Sequence, residues 1–295
     1  MQVAVVGCGY VGLALARRLA PDHEVVGVRR SDGGLEAVAD AGADPVRADV
    51  TDPETIAAVP DVDAVVYAVS AGGRDADAAR ETYVEAQRRT VETFGGRASP
   101  PDRFLYTSST GVYGDHGGAW VTEETPLSPV TPREAALAAA ERVTLEAAPD
   151  AGMDGTVARL AGLYGPDRYR LDRYLSGPVT AGYLNCCHRA DAAGAIAHFL
   201  SADRARGEVV TVVDDEPVSK WALADWLAEA CGEPAPPKRT VEETVASGDY
   251  SEAAAHRLRA SKRCSNEKLR SLGYDPVYPT FRAGYRPAVE GYRAD

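Results

Sequence analysis

QVAVVGCGYVG, residues 2–12, is the stretch whose reading decides the fold. Gln2 to Val6 is a short apolar run that passes straight into Gly7-x-Gly9-x-x-Gly12. A helix-like stretch, Leu13 to Ala20, follows at once and stops at Pro21. A strand that ends in this spacing and opens a helix is the signature of a dinucleotide site. Gly7 permits the tight turn, Gly9 lets the backbone approach a pyrophosphate, and Gly12 lets helix and strand pack closely. Tyr10 and Val11 sit between them at the helix start. There the free N–H groups and the positive end of the helix dipole face the phosphates.

Working outward, the next strand, Glu24 to Val28, runs into Arg29-Arg30-Ser31. An NAD site places an acidic residue near this point, where it holds the ribose hydroxyls. Two guanidinium groups and a hydroxyl suit a 2′-phosphate instead, because Arg matches phosphate geometry with fixed donors. The expectation is NADP over NAD, with Asp32 just beyond keeping NAD open. The competing reading of Arg29, Arg30 and Ser31 is a solvated surface turn.

Apolar runs recur at 2–6, 24–28, 62–69, 103–107 and 155–160, with helix-like stretches at 13–20, 35–41, 53–58, 76–94 and 133–147 between them. Such alternation predicts an α/β fold, a doubly wound parallel sheet with helices on both faces. After Gly162 the pattern changes. The reading is a dinucleotide-binding domain over 1–163 and a smaller substrate domain over 164–295, some of whose elements return to the sheet. Helices are expected at 190–200 and 219–231, a strand at 208–213, a loop at 233–240, and a short helix with a Tyr-rich end over 262–292.

The chain has 295 residues, 45% of them hydrophobic, enough for a sizeable core. No charged-then-apolar leader precedes the first strand and no apolar stretch approaches a bilayer's thickness, so a soluble, cytoplasmic protein is expected. The net charge of −12 and the lack of a basic stripe argue against nucleic acid. Only four of the 32 basic residues are lysines, which fits either a salt-rich cytoplasm or a GC-rich genome that replaces Lys with Arg; a melting curve against salt tests the first. The five cysteines include no Cys-x-x-Cys, and Cys186-Cys187 reads as part of a buried strand rather than a soft-metal site. No structural metal is expected.

Several further motifs follow in order. They are Ala48-Asp49-Val50, Val66-Tyr67-Ala68-Val69-Ser70, TSSTGVYG at 107–114, RLAGLYGP at 159–166, NCCHRAD at 185–191, VVDDEPVS at 212–219 and SKRCSN at 261–266. Together with the glycine pattern they resemble an atypical extended short-chain dehydrogenase/reductase of the NAD-dependent epimerase/dehydratase superfamily. The resemblance covers nearly the whole length and implies a Rossmann fold. It implies that Asp49 and Val50 meet the adenine, that Ala68, Val69 and Ser70 pass along the ribose and pyrophosphate, and that Thr107 and Ser108 lie near the nicotinamide. It implies that Ser109 hydrogen-bonds the substrate oxygen and that His188 and Asp191 form a turn and helix start, with Asp191 as N-cap or first-turn charge. Dimerisation through two helices and a small-molecule, nucleotide-linked substrate are implied by the resemblance as well. A strand-end hydroxyl satisfied by backbone is the plainer reading of Ser109, and an Asx turn that of Asp49.

One part of the family pattern is missing. Typical members carry Tyr-x-x-x-Lys on the helix after the TSS strand, where a lowered phenol pKa permits proton exchange. Here that helix reads REAALAAAER over 133–142, with Arg133 and Leu137 at the two positions. None of the four lysines has a Tyr four residues before it. Two readings follow. In one the chain is an oxidoreductase or epimerase with another proton donor: Tyr113, Tyr164, or the carboxylates Glu123 and Glu124. In the other it is a non-catalytic NADP(H)-binding sensor. Arg159, Arg168, Arg170 and Arg173, interspersed with Tyr164, Tyr169 and Tyr174, would suit a phosphorylated substrate, unless Asp167 and Asp172 neutralise them.

Overall fold

The structure, a computed structural model, describes residues 1–71, 76–248 and 250–294. Seven strands form one sheet: β1 (Gln2–Val6), β2 (Glu24–Arg29), β3 (Asp44–Arg47), β4 (Ala64–Tyr67), β5 (Arg103–Ser109), β6 (Asp154–Leu160) and β7 (Glu208–Val212). Their order is β7-β6-β5-β4-β1-β2-β3 and every neighbouring pair is parallel. Chain order reverses between β1 and β4, which creates the crevice where such sheets bind ligands.

The continuous apolar runs become strands buried on both faces. Val3, Val5, Ala64, Val66 and Leu105 face one core, and Ala4, Val65, Tyr67, Phe104 and Tyr106 the other. β3 was not expected from the apolar pattern. Its residues, Asp44-Pro45-Val46-Arg47, are half-buried or exposed, and Pro is tolerated because the strand lies at the sheet edge.

Helix α1 (Tyr10–Leu19) follows β1. Helix α2 (Pro132–Arg142) starts at a capping box in which Thr131 and Glu134 satisfy each other's backbone N–H groups, with Pro at the first helical position. Helix α3 (Arg189–Ser201) packs against α1, so residues beyond 164 cover the first domain's sheet and add β7 to it.

The tail differs from expectation: its Tyr-rich end is a 14-residue helix, α4 (Phe281–Ala294). Tyr285 on α4 stacks on Tyr164 with ring centres 4.9 Å apart, inside a second-lobe cluster with Cys186, Leu223, Leu227 and Phe281. The segment 233–240 also departs from a plain loop, since Lys238–Arg239 pairs with Val179–Thr180. Asp191 is not the N-cap of α3: His188 is, its Nδ1 accepting from Ala190 N. Asp191 lies in the first turn, buried, and accepts from Tyr274 Oη, Val277 N and Tyr278 N, tying down the chain that leads into α4. No helix among the described residues is long and apolar enough to cross a membrane.

Candidate cofactor cleft

A cleft of about 860 Å³ opens at the carboxyl ends of the strands. Its floor is the turn after β1. Gly7 has φ +85°, and a Cβ there would come within 2.8 Å of the Ala68 carbonyl carbon and of Val69 Cα. Only glycine fits a backbone folded this tightly against the next strand's end. A side chain at Gly9 would meet the Arg29 guanidinium at 3.3 Å. Gly12 faces away from the cleft: a Cβ there would lie 2.9 Å from Gly7 O and 3.1 Å from Val5, so its bareness serves helix–strand packing. The first N–H groups of a helix have no partner within it, and Gly9 offers no side chain to cap those of α1. That is a cradle for a negatively charged group.

The β2 end supplies charge. Arg29, Arg30 and Ser31 all line the cleft. Arg29 Nε and Ser31 Oγ converge above Gly34, 2.6 and 2.9 Å from where its Cβ would be. Among the described residues no carboxylate pairs with Arg29, whereas Arg30 reaches Asp49 Oδ2 at 3.4 Å. Asp32 does not line the cleft; its carboxylate is engaged by Arg47, which also donates to Arg30 O at 2.8 Å.

Asp49 and Val50 line the cleft, and Asp49 also makes the Asx turn. Its Oδ1 accepts from Thr51 N at 3.0 Å and Thr51 Oγ1 at 2.7 Å, which holds its carboxyl below the usual range. Both readings of Asp49 are therefore compatible: one oxygen serves the turn and the other faces Arg30. Among the described residues the lining has four arginines (29, 30, 133 and 168) against one carboxylate, Asp49, on a chain whose net charge is −12. An anion is drawn to this cleft and repelled by most of the remaining surface.

The other half of the cleft lies over β4, β5 and β6. Ala68, Val69, Ser70, Thr107 and Ser109 line it. Ser109 Oγ accepts from Gly111 N at 3.1 Å, leaving its own proton free to donate. Sequence reasoning missed Tyr83 and Thr82, which reach the cleft from the helical segment after β4, and gave no cofactor role to Leu160, Ala161 or Leu163. Arg133 and Leu137 of α2 line the cleft too. Arg168 arrives from the β6–α3 connection and lies 3.9 Å over the Tyr10 ring.

The structure keeps the expected proton donors away from the cleft. Tyr113 is fully buried; its hydroxyl lies 3.0 Å from Thr211 Oγ1 and accepts from Arg159 Nη1 at 3.0 Å. Tyr164 is buried against Tyr285 and His188 in the second lobe. Burial raises both phenols above the ordinary Tyr value, which disfavours proton exchange. Glu123 Oε1 accepts from Thr211 N at 2.6 Å and so covers part of the edge strand β7. Arg159 does not join the other arginines either. It forms a buried pair with Glu141 (Nη2–Oε2 2.7 Å, Nε–Oε1 2.9 Å), and Ser108 Oγ donates to the same carboxylate at 2.6 Å. This network bolts α2 to β5 and β6. Asp167 pairs with Arg189, and Asp172 appears in no ion pair with Arg170 or Arg173.

The strand order, the glycine turn and the crevice define a Rossmann-type dinucleotide fold. The NAD dependent epimerase/dehydratase family model matches residues 3–212, and the chain belongs to that family. Protein YeeZ of Escherichia coli is 34% identical over 212 residues, 69% of this chain and 74% of that protein. A functionally unknown conserved protein from Silicibacter pomeroyi superposes with a TM-score of 0.77 at 29% identity, over 100% of this chain and 98% of that one. DesIV, a dTDP-glucose 4,6-dehydratase from Streptomyces venezuelae with NAD and TYD bound, superposes with a TM-score of 0.79 at 22% identity, covering 100% and 98%. That last likeness concerns the fold alone.

Proposed function

We propose that the cleft binds NADP(H) in preference to NAD(H) and that the chain transfers hydride to or from a carbonyl or nucleotide-linked small molecule. The carrying observation is the lining itself: a glycine cradle whose neighbours, among the described residues, are four arginines and a single carboxylate. Arg29 and Ser31 would hold the 2′-phosphate, since they converge over Gly34 and Arg29 has no carboxylate partner among the described residues. Asp32, the acidic residue nearest that point, is engaged by Arg47 instead of facing the ribose. The N–H groups at the start of α1 would hold the pyrophosphate, and Asp49 the adenine amine. A bound nicotinamide supplies the hydride chemistry. Ser109, at the end of β5, would donate to the substrate oxygen and orient it. Membership of the epimerase/dehydratase family supports this substrate class.

One observation favours the sensor reading: α2 carries neither Tyr nor Lys. A single experiment separates the two. NADPH and NADH affinities are measured by fluorescence, then carbonyl compounds and nucleotide sugars are screened for loss of the reduced-nicotinamide absorbance. Tighter NADPH binding with turnover supports the proposal. Tight binding with no oxidation of any candidate selects the sensor, and tighter NADH binding overturns the 2′-phosphate assignment.

A further inference from the structure

Tyr83 is the phenol that the cleft does contain at the β4–β5 end. It lies in a π-wound turn, Glu81–Glu85, of the kind that recurs at functional sites. The residue is buried and lines the cleft. The phenol oxygen accepts from Ala71 N at 3.2 Å and from Arg133 Nη2 at 2.5 Å, with the guanidinium carbon 5.1 Å from the ring centre. Both contacts are donors to the oxygen, and among the described residues no acceptor takes the phenol's own proton. Arg133 has no carboxylate partner among the described residues, and its charge is directed at this oxygen. A cation and a phenol are thus paired across two helices, in the cleft that Thr107 and Ser109 also line.

We propose that Tyr83 is the proton donor and acceptor of the cleft and that Arg133 is the cation that positions and supports it. The inference rests on the hydride-transfer reading above. In the reducing direction a C–H bond forms at the carbonyl carbon with the hydride pair, and the C=O π pair moves to oxygen. That oxygen takes the Tyr83 proton as the phenol O–H bond breaks. The carbonyl is reduced and the nicotinamide oxidised; the phenolate is left beside the Arg133 guanidinium and regains its proton from water.

Two readouts test it on the full chain. The first needs no turnover: an adenosine carrying a 5′-fluorosulfonylbenzoyl group is bound in the cleft, and modified peptides are mapped by mass spectrometry. Attack by a phenol oxygen forms an S–O bond and expels fluoride. Labelling at Tyr83 is expected, blocked by NADPH, lost in Tyr83→Phe, retained in Arg133→Lys and slowed at least roughly tenfold in Arg133→Gln, as loss of a charge-assisted hydrogen bond implies. Label on Tyr10, no label, or an unchanged rate in Arg133→Gln overturns the proposal. The second readout is the rate with whichever screened compound oxidises NADPH. Tyr83→Phe should lower it about 100-fold or more and flatten its pH profile, with NADPH affinity within about twofold. Undiminished turnover in Tyr83→Phe removes Tyr83 from the chemistry and leaves hydride transfer standing. A wild type that binds NADPH and oxidises nothing sinks the hydride-transfer reading, and this assignment falls with it.

Discussion

Over β1, β2 and β3 the cleft is made of backbone and of charges carried within a few residues of a strand end. Over β4, β5 and β6 strand-end residues are joined by side chains brought in from separate helices and from the segment after β6. Gly7, Gly9, Arg29 and Ser31 belong to the first half, and Tyr83, Arg133, Leu137 and Leu163 to the second. The contrast teaches that binding a dinucleotide's phosphates is a local property of the chain, while the chemistry at its far end is assembled by tertiary structure.

The largest expected effect comes from beneath the second half. Arg159→Met leaves the Glu141 carboxylate buried without its cation, against Ser108 alone. Breaking such a pair costs about 3–5 kcal/mol. Urea unfolding should show that loss, and it should exceed the loss from Ser108→Ala. If Arg159→Met is no less stable than the wild type, α2 is not anchored by this network, and the placement of Arg133 loses its support.

Gly7→Ala comes next and attacks the first half. The residue would need φ +85° and its Cβ would meet the Ala68 and Val69 backbone at 2.8 Å. A stability loss of about 1–3 kcal/mol is expected. NADPH and NADH affinities should fall together, at least roughly tenfold, because the pyrophosphate cradle is common to both. Loss of one and not the other would show that the glycine turn does not hold the shared phosphates.

The same contrast explains what could be read from sequence. β1, β2, β4, β5 and β6 were legible because buried parallel strands are continuous apolar runs. β3 was not, since an edge strand needs no apolar face. Every cofactor residue named from the sequence lines the cleft except Gly12, which packs the helix on the strand as its place in the pattern implies. Tyr83 left no such signal. Its role depends on Arg133, fifty residues on, and no periodicity links the two. Tyr113 and Tyr164 lie near the right motifs in sequence, but the backbone turns both phenols into the core.

Within the first half, Arg29 and Arg30 should differ. Arg29→Ala removes a guanidinium with no competing carboxylate among the described residues, and a hydrogen bond to a charged group contributes about 1.5–3 kcal/mol. NADPH affinity should drop roughly tenfold or more while NADH stays within about twofold, as calorimetry can measure. Arg30→Ala should do less, because part of its charge is already spent on Asp49. Equal effects would mean that both arginines reach the 2′-phosphate.

The smallest effect belongs to Asp49→Asn. The carboxylate is the one negative charge that the described residues bring to the cleft, so its removal frees Arg30 and should raise the NADPH-to-NADH affinity ratio a few-fold. An unchanged ratio would place Arg30 outside the phosphate's reach. The pH dependence has a definite sign. The Thr51 N–H and hydroxyl hold this carboxyl below its ordinary value of 3.8. The folded state therefore binds fewer protons than the unfolded chain near that pH, and the stability gained is fully present above it. That gain disappears as pH falls through the lowered folded value. Because the side chain is 35% exposed and water screens it, the contribution is below about 1 kcal/mol. In acid melting curves Asp49→Asn should lack only this shallow limb. A steep loss at neutral pH would mean that the turn after Asp49, and not its charge, is what the first half depends on.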